Sequence, residues 1–117
     1  MTRDIASLVA AADRHDADAF VAHLTPDVRS VFANTEPTIG RENVKKATTA
    51  FWDTIDGVSH HILAMHEIGD AVTVQFDIEY RRKDGRTVTL PVCNVLTFEG
   101  DLVSVSQVYA DLAPLHA

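Results

Sequence analysis

The sequence predicts an α+β fold: N-terminal helices packed into a curved, mixed or antiparallel sheet that closes into a cone-shaped barrel. Three observations predict it. Apolar residues recur at helical spacing in the first half of the chain, at Ile5, Leu8, Val9 and Ala12 and again at Val44, Ala47, Phe51 and Ile55. From Ser59 onward the pattern changes to alternation, with Val72, Val74, Phe76, Ile78 and Tyr80 on one face and Thr73, Gln75, Asp77, Glu79 and Arg81 on the other. Turn signals at Gly69-Asp70, Asp84-Gly85 and Glu99-Gly100-Asp101 separate the alternating runs into a meander. Helices followed by a meander make an α+β pattern. The helices can bury their stripes only on the apolar sheet face. A long twisted sheet curling round a helix leaves a cone with an open mouth.

Each element follows from local signals. Thr2 is positioned to cap the first helix, which ends at Arg14-His15-Asp16. Asp16 caps a second short helix running to Leu24, closed by Thr25-Pro26-Asp27 because the residue before proline disfavours helical geometry. Val28 to Asn34 reads as a short strand and Glu36 to Gly40 as a loop. A third helix runs from Arg41 to Ile55 and stops at Asp56-Gly57. Four strands follow: Ser59–Ile68, Ala71–Arg82, Thr87–Phe98 and Leu102–Asp111.

Composition narrows the function classes. With 117 residues, the chain is expected to be one domain, 1–117, with one real core. Its net charge of −7 argues against nucleic acid or an anionic membrane as partner, since both need clustered lysine and arginine. Arg81-Arg82-Lys83 is the only basic cluster and reads as a solvated turn. Cys93 is the single cysteine, so no intrachain disulfide forms and no thiolate metal site is expected; in a strand it reads as a small apolar residue. There is no apolar leader and no membrane-spanning run, which makes the cytoplasm the expected location.

Polar residues that interrupt apolar strand faces mark a candidate pocket. Asn94 lies in register with Leu90, Val92, Leu96 and Phe98; it serves either as a ligand contact or as an internal hydrogen-bond bracket. Gln107 and Tyr109 share a face with Val103 and Val105, and Asp111 continues that face as either an acid/base group or a cap. Asn34 is expected near the mouth, as a ligand contact or a turn former, and Trp52 flanks the helical stripe as a pocket wall or plain core. Among His60, His61 and His66, strict alternation puts His60 and His66 on one face. His66 with Asp111 is the acid/base pair to look for. No third or fourth ligand joins the histidines, so no metal is expected.

The chain resembles the nuclear transport factor 2-like superfamily, in particular its polyketide cyclase, or SnoaL-like, branch. The pieces that carry the resemblance are Asp16-Ala-Asp-Ala-Phe20, Leu24-Thr-Pro-Asp-Val28, Ala33-Asn-Thr-Glu-Pro37, Gly40-Arg-Glu-Asn-Val44, Gly69-Asp70, Asp84-Gly85, Leu90-Pro91 and Val108-Tyr-Ala-Asp-Leu-Ala-Pro114. Their order and spacing span nearly the whole chain. The resemblance implies a cone-shaped barrel, a homodimer, an apolar pocket and no obligatory cofactor. It does not imply one activity, because the fold hosts isomerases, dehydratases, cyclases, epoxide hydrolases and transport factors. Ketosteroid isomerase chemistry needs a carboxylate base and an oxyanion hole built from a tyrosine and a protonated acid. The resemblance puts Phe32 where that base would be, Leu8 at the tyrosine and Asn94 at the acid. An inward arginine between two carboxylates, as epoxide hydrolysis in this family requires, is not apparent.

Two readings follow. One is a binder of a small apolar, oxygenated molecule that works as a cofactor-free isomerase, cyclase, dehydratase or hydrolase by acid/base chemistry, with Asn94, Gln107 and Tyr109 orienting the substrate. The other is a non-catalytic ligand-binding or dimerisation module. The homodimer is expected through the face of Pro91, Cys93 and Val95, helped by Val108.

Overall fold

The computed structural model describes residues 3–117. Its elements are α1 (Ile5–Asp13), α2 (Ala17–Val21), β1 (Leu24–Phe32), β2 (Thr38–Ile39), α3 (Arg41–Trp52), β3 (Ile55–Ile68), β4 (Ala71–Arg82), β5 (Thr87–Glu99) and β6 (Leu102–Tyr109), followed by a 3-10 turn at Ala113–His116. The six strands form one mixed sheet in the order β2-β1-β6-β5-β4-β3. All pairs are antiparallel except β1 with β6, which run parallel. The α+β cone expected from the sequence is the fold observed.

The inner face of β4 is the floor of the core. Val72, Val74, Phe76, Ile78 and Tyr80 are all buried, and so are Leu90, Val92, Leu96 and Phe98 opposite them on β5. Ile5, Leu8 and Ala12 of α1 and Val44 and Trp52 of α3 complete the same cluster. Each large apolar side chain buried here contributes roughly 1.5–3 kcal/mol, so the helices are held by the sheet more than by their own propensities.

Several boundaries differ from expectation. Thr2 lies outside the described residues; Asp4 caps α1 by accepting from the Ser7 amide. The second helix ends at Val21, and Thr25-Pro26-Asp27 belongs to a strand. Pro26 is tolerated there because the ladder from β1 to β6 is irregular between Leu24 and Arg29, so its missing N–H breaks no regular bond. That strand stops at Phe32, and Ala33 takes a left-handed φ of 53° to start the loop. Ile55 and Gly57 open β3 instead of ending α3. A Cβ at Gly57 would meet the end of the Arg81 side chain, which would have to swing aside.

Beyond the irregularities at Leu24/Arg29 and at Ile55/Gly57, strand alternation slips at two more places. In β3 the register shifts between Ile62 and Ala64. Between β5 and β6 it shifts at Thr97/Phe98, where Thr97 pairs with Val105 but Phe98 pairs with Val103. Each slip is a bulge that bends the strand and moves every later side chain to the other face.

Asp16 Oδ1 accepts from the Ala19 amide at 3.1 Å and caps a helix of only five residues. Asp16→Ala is expected to lower stability by about 1 kcal/mol, read as a lower denaturant midpoint with an unchanged m-value.

Candidate functional site

The cone encloses a cavity of about 640 Å³ walled mainly by apolar and aromatic side chains. Phe20, Phe32, Phe51, Trp52, Phe76 and Tyr80 all line it. Its few polar groups fall at separate places on the wall.

The first polar place is His60. Paired with Ile78, it points inward from β3, upstream of the slip. Its Nδ1 lies 2.5 Å from Asp13 Oδ1, and its backbone N–H also donates to that carboxylate, 3.1 Å from Oδ1. A carboxylate only accepts, so Nδ1 carries a ring proton, and in the neutral imidazole the lone pair is then on Nε2. The edge of Phe76, 5.2 Å between centroids, fixes the imidazole plane. Asp13 is the last residue of α1; it reaches across because β3 is an edge strand with a free amide at His60.

The second place is Tyr80. It is a diagonal neighbour of His60 across the β3–β4 ladder, a relation that sets Cα atoms about 7–8 Å apart. Burial pushes its phenol up to about 12 from an ordinary value of 10.0. It therefore stays a neutral O–H donor throughout the physiological range.

The third place is a patch on the opposite wall. Ser30 and Ser106 are register partners on β1 and β6, and both line the cavity. Ser106 Oγ donates to Asn94 Oδ1 at 3.2 Å. That leaves the Asn94 amide N–H groups facing the cavity without a protein acceptor among the described residues.

The expected site residues divide accordingly. Asn94 and Trp52 line the cavity, with Trp52 stacked on His15 at 4.9 Å. Gln107 and Tyr109 do not. The slip at Thr97/Phe98 turns them to the outer face opposite Val95 and Cys93, and brings Ser106 and Val108 inward instead. His66 is likewise displaced: the slip after Ile62 sets it opposite Thr73 on the outer face, exposed, so it does not share a face with His60. Asp111 is exposed and caps the C-terminal turn by accepting from the Ala113 amide at 3.0 Å. The pair His66–Asp111 does not form. Asn34 is exposed beside the cavity loop, where its neighbours Thr35 and Glu36 form the lining.

Sequence reasoning passed over Asp13, Ser30, Tyr80 and Ser106 as site residues. Two of these carried a readable signal: Ser30, as a polar residue in phase with Val28 and Phe32, and Tyr80, as the hydroxyl-bearing end of the apolar face of its strand. Leu8, Phe32 and Asn94, matched by resemblance to an isomerase's tyrosine, base and acid, all line the cavity. No lysine or arginine does. Among the described residues, no three His, Cys, Asp or Glu side chains converge on a metal position, and no helix is long and apolar enough to cross a membrane.

Fold and cavity together define a cone-barrel protein of the nuclear transport factor 2-like class. The SnoaL-like domain profile matches residues 5–105, and the chain belongs to that family. Among solved structures, a protein with a ketosteroid isomerase-like fold from Catenulispora acidiphila, in complex with trimethylamine, is 21% identical with a TM-score of 0.86, over 92% of this chain and 85% of that one. A nuclear transport factor 2-like protein of Burkholderia pseudomallei is 21% identical with a TM-score of 0.87, over 98% and 95%. An epoxide hydrolase of Mycobacterium tuberculosis is 17% identical with a TM-score of 0.81, over 95% and 82%. At these identities the likeness establishes the fold alone. No curated protein sequence matches the chain.

The raised phenol makes a pH prediction. Above pH 10 the unfolded tyrosine ionises while the folded one does not, so the unfolded state binds fewer protons. Stability contributed by Tyr80 is complete below pH 10 and is lost as pH rises toward 12. In a Tyr109→Phe background, tyrosinate absorbance should appear only near pH 12 and coincide with unfolding; a transition near pH 10 in folded protein would contradict the burial argument.

Proposed function

We propose that this protein binds an apolar, oxygen-bearing small molecule in the cone and moves a proton on it without a cofactor. The observation that carries the proposal is the His60–Asp13 pair at 2.5 Å, set in the wall of an otherwise apolar cavity. Asp13 holds the imidazole by its Nδ1–H and leaves Nε2 free as a general base. Tyr80, neutral and adjacent, supplies the donor for the oxygen on which negative charge develops.

Asn94 and Ser30 act further away. Asn94 is level with Val74, whereas His60 is level with Ile78, so four residues of β4 separate them, about 13 Å along the strand. They anchor a second oxygen, and binding energy there orients the reacting end. Isomerisation, dehydration and aldol-type cyclisation all fit a base and a donor arranged this way.

The test is solvent deuterium exchange at the α-carbon of bicyclic and tricyclic ketones, followed by NMR. Exchange should saturate with ketone concentration. His60→Gln should lower the rate by about 10²–10⁴-fold without loss of ligand binding. Ketones that bind with no exchange above buffer would sink the enzymatic reading and leave the non-catalytic binding module.

We further propose a homodimer through the outer face of β5 and β6. Pro91, Cys93 and Val95 lie there beside Val105 and the exposed Tyr109. Val108, expected to help, points inward, and Tyr109 takes its place. Light scattering should give twice the 12.8 kDa chain mass. Tyr109→Arg should shift the protein to monomer; a wild-type monomer at micromolar concentration would refute the interface.

A further inference from the structure

One charged group of the cavity has no part in this chemistry. Glu36 is the only Asp or Glu that lines the wall; apart from the Tyr80 phenol, the other ionisable lining groups are His60 and His116. Among the ion pairs and hydrogen bonds of the described residues, none involves the Glu36 carboxylate. Its place is set by the turn before it. Thr35 folds the loop back on Phe32, donating to the Phe32 carbonyl from its amide at 3.1 Å and from its hydroxyl at 2.7 Å.

That turn starts at Phe32, whose ring forms an aromatic corner in the same cavity wall as Glu36. The rings of Phe32 and Phe51 lie 5.2 Å apart at 57°, forming an open angle. Tyr80 stands at 88° to Phe51, 6.0 Å away, and stiffens it. All three line the same cavity as Glu36. Two tilted ring faces and an uncompensated carboxylate, with no lysine or arginine in the wall, have the features that attract an ammonium group. The negative charge of the whole chain adds to the attraction. A carboxylate or phosphate group at this corner meets the opposite conditions: a like charge at Glu36 and no lysine or arginine to pair with.

We propose that the Phe32–Phe51–Glu36 corner is an ammonium subsite, and that the ligand is an apolar amine, protonated or quaternary. This deepens the small-molecule reading of the same cavity and rests on it. It adds that the cation sits at the β1 side, away from His60, so the amine orients the ligand and takes no part in proton transfer.

The test compares benzyltrimethylammonium with neopentylbenzene, its neutral isostere, and with benzoate, by calorimetry on the full chain. The ammonium should bind about tenfold more tightly than the neutral isostere, and benzoate more weakly than either. Glu36→Gln, on an exposed loop, should weaken the ammonium by about three- to tenfold and leave the neutral isostere unchanged. Phe51→Leu should reduce the preference for the ammonium over the isostere. Equal binding of ammonium and isostere, or an unaffected ammonium in Glu36→Gln, overturns the subsite while leaving the apolar cavity in place. Failure of both the ammonium and the isostere to bind overturns the subsite together with the small-molecule reading.

Discussion

The interior of this barrel is decided by two places where strand alternation slips by one residue. Side chains alternate with a period of two, so one slip reverses everything beyond it. Without the slip in β3, His66 would face inward as His60 does. Without the slip between β5 and β6, the wall would show Val105, Gln107 and Tyr109, and Asn94 would lose its Ser106 partner. A bulge also adds bend and twist to the strand that carries it. The features that curl the sheet into a cone are therefore the same ones that choose its polar groups.

This explains which parts were legible in the sequence. The strand Ala71–Arg82 reads to the residue because it has no internal slip and strong turns at both ends. The inward position of Asn94 was legible because its own strand alternates without interruption from Leu90 to Phe98; the extra residue of the slip is on β6. His66, Gln107 and Tyr109 were misplaced because a bulge leaves no local mark here: neither Leu63 nor Ser104 is a glycine or proline. The Asp13–His60 pair was out of reach for another reason. Its members are 47 residues apart, and only helix packing against the edge of the sheet brings them together.

That pair joins fold and chemistry. A carboxylate in the last turn of a helix sits at the negative end of the helix dipole, which disfavours it. Asp13 is compensated by two N–H donors from His60, one from the ring and one from the backbone. The backbone donor exists because β3 has no strand on its far side. An exposed edge amide invites pairing with another chain. Asp13 occupies it, ties α1 to the sheet and sets the tautomer of the imidazole in one arrangement. A side chain that only neutralised His60 would not need the backbone bond, and one that only covered the edge would not need the ring.

The same cavity shows how one fold accommodates a different arrangement of parts. At the positions matched to an isomerase's base and tyrosine stand Phe32 and Leu8, which donate and accept nothing. An imidazole with a neighbouring phenol stands instead on the β3–β4 wall, as His60 and Tyr80. The exchange changes what the old positions can do. Phe32, freed from proton transfer, presents a ring to Phe51 beside the unpaired Glu36. Moving the proposed base four residues along the sheet from the level of Asn94 also parts the reacting end from the anchoring end. A ligand that satisfies both must carry polar groups separated by an apolar body, because Phe76, Val92 and Ile78 fill the wall between them. Selectivity then comes from the distance between two polar groups as much as from the chemistry of either.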